Sequence, residues 1–314
     1  MRTYEEINRS FKNICVYRIG NHAGFFSEIN NMIIAMIYCM ENNLRFKLYS
    51  TDTQYCNDLW NDFFYQVVDQ VTHPFHKTYN GRDFKIVKKS DFDQPEFSAT
   101  RQYLDREFPD QEICLTQNIW PFIRNHKVYH PHYNVNSPYF YGEIINSGHQ
   151  VIRNIWRYSR KTASQVFSIK NSIKIQTPYA GLHIRRGDKS REAGFKPLEN
   201  YLKIVDDVTK QENYPVFIAT DDQRVIGDIK KINPRRPVYH FIFPENNGFD
   251  MDKFTLQDKE QQRENIIQLF AEVEMLVQAN LFVGTFTSNV GMFVGMARNG
   301  REIYGVDTNG WIVW

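Results

Sequence analysis

The sequence predicts an α/β protein with a doubly wound parallel sheet in its carboxyl-terminal half. Three observations lead there. From Tyr179 onward, short β-rich runs alternate with amphipathic helical runs. The amino-terminal end reads strand, glycine loop, helix, strand, which is a βαβ unit. At 314 residues the chain has length for two domains with a sizeable core. They are placed at 1–165, an amino-terminal α/β domain, and 166–314, a Rossmann-like domain.

The elements follow in order. "ICVYRIG", Ile14–Gly20, is β-rich and ends at a glycine. "NHAGFFSEINNMIIAMIYCMENN" then carries Phe26, Ile29, Ile33, Met36, Ile37 and Met40 at helical spacing, and "LRFKLYS" is the second strand. The segment from about Thr51 to Lys161 is aromatic and irregular, and reads as helices joined by long loops. Beyond it, "YAGLHIRR" is a strand and "PLENYLKIVDDVTK" a helix opened by Pro197. "PVFIATDD" is a strand, followed by a short helix from Gln223 to about Ile232. "PVYHFIF" is a strand and "QDKEQQRENIIQLFAEVEMLVQAN" a long amphipathic helix. "LFVGTF" is a strand, "SNVGMFVGMARNG" a helix closed by glycine, and "EIYGVD" a final strand.

Composition sets bounds on function. A net charge of +2 demands neither nucleic acid nor a membrane surface as partner. Aromatic residues reach 15%, with 18 Tyr and 24 Phe; most read as core, and an excess of Tyr and Trp is also what sugar-binding clefts use. Cys15, Cys39, Cys56 and Cys114 match no zinc spacing and read as buried free thiols. The amino terminus has no apolar signal region, and the longest apolar run, "MIIAMIYCM", is too short to span a bilayer. A soluble cytoplasmic protein is the expectation.

The chemistry gathers at strand ends. In open parallel sheets, ligands bind beyond the carboxyl ends of the strands. His183, Arg185, Arg186, Asp188 and Lys189 follow one strand, Thr220, Asp221 and Asp222 end the next, and "TFTSN", Thr285–Asn289, ends a later one. Arginine forks suit phosphate oxygens, and Thr287, Ser288 and Asn289 at a helix start form a second anion seat. Together they fit a pyrophosphate. The alternative for the arginines is a salt bridge to Asp188 or Asp222. No P-loop or dinucleotide glycine motif is present, which disfavours a kinase, a P-loop ATPase or a nicotinamide enzyme. Glu192, in the loop beyond, is placed to act as a general base, or is an ordinary surface glutamate. "DFD", Asp91–Asp93, and "DMD", Asp250–Asp252, have the acidic pattern of cation sites but lie away from the strand ends, so they read as coincidental.

With those residues in view, "GLHIRRGDKSREAGFKPLENY" resembles the alpha-1,6-fucosyltransferases, a family that includes the N-glycan core and rhizobial chitin-oligosaccharide enzymes. The shared pattern is His183, Arg185, Arg186, Asp188, Lys189, Glu192, Ala193, Gly194, Phe195, Pro197, Glu199 and Tyr201, with one residue fewer between Lys189 and Glu192. "FIATDD" and "LFVGTFTSNVG" resemble the next two blocks, in order. "GNHAGFFSEINNMIIA" resembles the glycine-loop helix, with fewer glycines and with Gly24 at the donor.

The resemblance implies a GT-B architecture of two Rossmann-type domains, with 1–165 on the acceptor side. It implies an inverting, metal-free transfer of fucose from GDP-fucose to a hydroxyl of a glycan, a lipid-linked sugar or an oligosaccharide, with no cofactor beyond the donor. Arg185 would bind pyrophosphate, supported by Arg186 and His183. Asp221, Asp222, Thr287, Ser288 and Asn289 would complete the nucleotide contacts. Glu192 would be the base, with Lys189 and Asp188 beside it. Glu272 stands where the family has an aspartate that accepts from guanine, and Asn289 where it usually has glutamine, so another nucleotide sugar is the first rival. A catalytically dead sugar- or nucleotide-binding module is the second. The end at Trp314, with no anchor or stem, is expected of a bacterial-type or viral-type enzyme. The aromatic stretch Trp120–Tyr141 reads as plain core or, as the alternative, as the acceptor platform.

Overall fold

The structure is a computed structural model that describes residues 2–20, 23–53, 55–81, 84–109, 113–126, 130–186, 194–243 and 251–313. The chain divides into two compact units at Ser159/Arg160. The expected division at 165/166 falls inside the helix Arg160–Lys170, which packs on the helix Lys259–Gln278 of the second unit.

The first unit is built on strands β1 (Asn13–Arg18), β2 (Leu44–Tyr49), β3 (Lys85–Val87) and β4 (Ile113–Thr116), in the order β2-β1-β4-β3. β2 and β4 run parallel to β1, while β3 is antiparallel on β4. Alternation along β1 sends Ile14 and Val16 into a core with Tyr49, Leu104, Phe108, Ile113 and Leu115. The helix Phe25–Glu41 follows the glycine loop, with Ile29, Ile33, Met36, Ile37 and Met40 buried at the predicted spacing. Its end is sharp because Asn43 turns left-handed at φ 54°.

The stretch 51–161, read as helices and loops, also holds β3, β4 and a hairpin of β5 (Asn134–Asn136) and β6 (Tyr141–Glu143). β4 is only "ICLT", buried on both faces, and so lacks the alternation that marks a half-exposed strand. The aromatic stretch Trp120–Tyr141 is mostly core: Trp120 and Phe140 are buried, while Tyr141 is 68% exposed. The four cysteines are buried and unbridged.

The second unit is a five-stranded parallel sheet of β7 (Ala180–Ile184), β8 (Val216–Thr220), β9 (Val238–Tyr239), β10 (Leu281–Gly284) and β11 (Ile303–Gly305). Their order is β11-β10-β7-β8-β9. β7 and β8 are buried along their whole length, as a sheet covered on both faces requires. On one face Leu182 and Ile184 pack with Tyr201, Leu202 and Val205 of the helix Leu198–Thr209 and with Val225, Ile226 and Ile229 of Arg224–Ile232. On the other lies the helix Lys259–Gln278; a Cβ on Gly181 would stand 3.2 Å from the Leu276 Cα. The predicted "PVYHFIF" strand shortens to Val238–Tyr239, at the sheet edge where only β8 can pair with it. The chain runs β7, β8, β9 to one side and then β10, β11 to the other, so the switch point lies between β7 and β10.

Among the described residues no helix is long and apolar enough to cross a membrane, and no three His, Cys, Asp or Glu side chains gather as a metal set. Asp91 accepts from the Lys88 N–H at 3.1 Å and Asp93 pairs with Arg101, so both serve local structure. Asp250 lies outside the described residues.

Candidate active site

A cavity of about 160 Å³ opens at the switch point. It is lined by Arg185 after β7, Thr285, Thr287 and Ser288 after β10, and Asp307 after β11, with Gly194, Phe195, Lys196 and Tyr201 on the remaining wall. Three strand ends far apart in sequence thus meet in one pocket, which is what parallel topology dictates for chain leaving the carboxyl edge.

The β7 end is held by Asp221. Its Oδ1 accepts the Arg186 backbone N–H at 2.7 Å, and its Oδ2 lies 2.9 Å from Arg185 Nη1. The register explains the meeting, because Ile184 pairs with Thr220 and both chains turn outward together. Arg185 therefore has a carboxylate partner in Asp221; of the two expected partners, Asp222 pairs with Arg224 and Asp188 lies outside the described residues. Arg186 points elsewhere: its guanidinium stacks 4.7 Å from the Phe195 ring centroid and its Nη2 donates to the Lys196 carbonyl at 3.0 Å. It is not among the cavity's lining side chains.

His183 is buried in β7, where burial and the nearby Arg185 charge press its pKa down to about 3. The imidazole is neutral at physiological pH, and among the described residues its buried Nδ1 has no hydrogen-bond partner. Asp222 starts the helix Arg224–Ile232: it accepts from the Arg224 N–H at 3.0 Å, Nε at 2.8 Å and Nη2 at 2.6 Å. Those bonds hold its carboxyl below the ordinary range. Asp222 is also outside the cavity lining.

The β10 loop owes its shape to Asp307. Its Oδ1 accepts the Phe286 N–H at 3.0 Å, and its Oδ2 accepts the Thr287 N–H at 3.0 Å and hydroxyl at 2.6 Å. Ser288 begins the helix Asn289–Ala297 without using its hydroxyl as a cap. Ser288 lines the cavity beside the helix start, where first-turn amides have no intrahelical acceptor. Gly291 lets the helix close on the loop, since a Cβ there would lie 2.0 Å from the Thr285 carbonyl oxygen.

Glu272, on the helix Lys259–Gln278, comes near Asp221. Burial, with the Asp221 negative charge second, pushes its pKa up to about 8. Among the described residues no hydrogen-bond donor serves its carboxyl. Tyr201 lines the cavity with its phenol pushed above the ordinary value by burial.

The structure thus brings His183, Arg185, Asp221, Glu272, Thr287 and Ser288 to one region. Asn289 opens the adjoining helix, and Asp188, Lys189 and Glu192 lie outside the described residues. Gly24 belongs to the first unit and caps the helix Phe25–Glu41. There the buried Glu28 carboxylate accepts from the Gly20 N–H at 3.1 Å and the Ala23 N–H at 3.2 Å, so an internal anion already occupies that glycine loop. Sequence reasoning missed Asp307 and Lys196. Asp307 ends the last strand, "EIYGVD", and the strand-end rule applied there would have found it; Lys196 carries no sequence signal.

Residues 143–294 match the family described as alpha-(1,6)-fucosyltransferase N- and catalytic domains. Among solved structures, NodZ alpha-1,6-fucosyltransferase soaked with GDP-fucose superposes with a TM-score of 0.53 at 12% identity, covering 91% of this chain and 92% of that one. These findings support an alpha-1,6-fucosyltransferase-like family. Fucosyltransferase NodZ from Bradyrhizobium gives 0.52 at 13% identity over 96% and 98%. POFUT1 in complex with GDP-fucose gives 0.50 at 10% identity over 94% and 98%. The fold is that of the GT-B fucosyltransferases, and with the family match it indicates a glycosyltransferase. No curated protein sequence matches the chain.

Proposed function

We propose that this fucosyltransferase-like enzyme transfers L-fucose from GDP-fucose to a hydroxyl of a glycan, a lipid-linked sugar or an oligosaccharide, inverting the anomeric centre without a metal ion. The observation that carries the reading is the switch-point cavity, whose described lining apart from Asp307 lies in the stretch that matches the family and offers cationic and hydroxyl groups to a diphosphate. Solved structures of similar fold were obtained with GDP-fucose.

In this reading Arg185, Ser288 and Thr287 face the pyrophosphate, and the neutral His183 stiffens the β7 end behind Arg185. Glu272 meets the guanine edge, whose adjacent N–H groups supply the donors its carboxylate lacks. Glu192, with Lys189 and Asp188 beside it, takes the proton from the acceptor hydroxyl. The acceptor oxygen bonds to the anomeric carbon as the bond from that carbon to the β-phosphate oxygen breaks, and GDP leaves with the electron pair. Stabilising that leaving charge is the work of the cavity wall.

The test is transfer itself. Purified protein is incubated in EDTA with GDP-fucose and a panel of chito-oligosaccharides and N-glycans, and the products are resolved by mass and by the anomeric proton coupling. A fucosylated product of inverted configuration is expected; transfer from another nucleotide sugar alone would replace the donor.

A further inference from the structure

Among the described residues three charged side chains line the switch-point cavity: Arg185, Lys196 and Asp307. They are not equivalent. Arg185 stands 2.9 Å from Asp221, so its charge is offset inside the protein. Asp307 has no cationic partner among the described residues: the three groups that donate to it, two amides and a hydroxyl, are neutral. Among the described residues no hydrogen bond or ion pair engages the Lys196 ammonium. With Asp221 counted against Arg185, the described side chains of the wall would be net negative without Lys196 and would repel an anion.

The backbone of Lys196 is fixed from both sides. Its carbonyl accepts Arg186 Nη2 at 3.0 Å, and Arg186 is itself stacked on Phe195, whose ring is 51% exposed at the rim. Pro197, with φ −55° and ψ 141°, then caps the helix Leu198–Thr209, which is anchored in the core through Tyr201, Leu202 and Val205. The backbone is held while the ammonium keeps its freedom, an arrangement suited to a ligand that arrives and departs.

We propose that Lys196 is the cation that draws the diphosphate of a nucleotide into this cavity, and that Arg186 positions Lys196 instead of binding phosphate itself. This rests on the nucleotide-sugar reading of the same cavity. It changes the division of labour that the sequence suggested: Arg185 faces the diphosphate with its charge offset by Asp221, Arg186 braces, and Lys196 supplies the charge that no described residue offsets.

The test is calorimetric titration of wild type, Lys196→Met, Lys196→Gln and Lys196→Arg with GDP, inorganic pyrophosphate and guanosine, with thermal melts as a check on folding. Losing one charged hydrogen bond predicts a roughly 10- to 100-fold weaker affinity of the Met and Gln variants for GDP and pyrophosphate. Guanosine affinity stays unchanged and the Arg variant recovers most of the loss. A folded Met or Gln variant that binds both anions like wild type overturns the proposal. Wild type binding pyrophosphate but not GDP would remove the guanine-nucleotide reading and leave Lys196 to be decided on pyrophosphate. Wild type binding neither removes both.

Discussion

Thr287 gives Asp307 both its backbone N–H, at 3.0 Å, and its hydroxyl, at 2.6 Å. The two residues end neighbouring parallel strands, so this pair ties the β10 loop to β11 and fixes where Ser288 and the following helix start. A carboxylate serves here because it accepts on both oxygens without needing to donate. Asp307→Asn turns one oxygen into a donor facing N–H groups. Removing a negative charge from the wall by itself favours an anion, so a weaker nucleotide affinity, the expected outcome, reports the lost shape of the loop. Hydrogen exchange at Phe286 and Thr287 checks the cause: their amides should exchange faster, and unchanged protection would show that the loop holds without Asp307.

Gly291→Ala tests the close approach on the other side of that loop. The new Cβ would sit 2.0 Å from the Thr285 carbonyl oxygen, so the helix or the loop must move. Overpacking of this kind costs about 1–3 kcal/mol. A lower melting temperature with weakened nucleotide binding is expected; a melting curve like wild type would show that the loop yields freely.

Glu272 predicts a pH dependence with a definite sign. Its carboxyl titrates near 8 in the folded protein against 4.5 ordinarily. The stability it contributes is complete below about pH 4.5 and is lost as pH rises through about 8. Guanine needs the ionised form, so GDP affinity should rise over the same upper limb, with a proton released on binding. Glu272→Gln should flatten both profiles. Melting and titration between pH 5 and 9, in buffers of different ionisation enthalpy, measure the two effects; a flat wild-type profile would remove the role of Glu272.

Glu192→Gln addresses the proposed base. Transfer should fall by the ~10²–10⁴-fold that general base catalysis contributes, while GDP affinity changes little. Equal loss of both in calorimetry and product assay would make Glu192 a binding residue.

The sheet of the second unit was legible because alternating strands and helices leave a strong periodic record, and because Arg185, Asp221 and Ser288 all follow strands whose carboxyl ends must share an edge. Partners were less legible. Asp222 and Asp221 are adjacent in sequence, yet one starts a helix with Arg224 and the other holds Arg185, a division set by side-chain direction. β4 was missed because four buried residues carry no alternation, and β9 was overdrawn because an edge strand extends only as far as its one neighbour allows. Lys196 was invisible: a lysine between Phe195 and Pro197 is ordinary until Arg185 and Asp307 are seen beside it.

Calorimetric titration of the purified protein with GDP, UDP and dTDP, each with and without EDTA, tests the central claim most directly. Preferential binding of GDP that survives EDTA is expected. Preference for UDP or dTDP, or binding lost with EDTA, would contradict it.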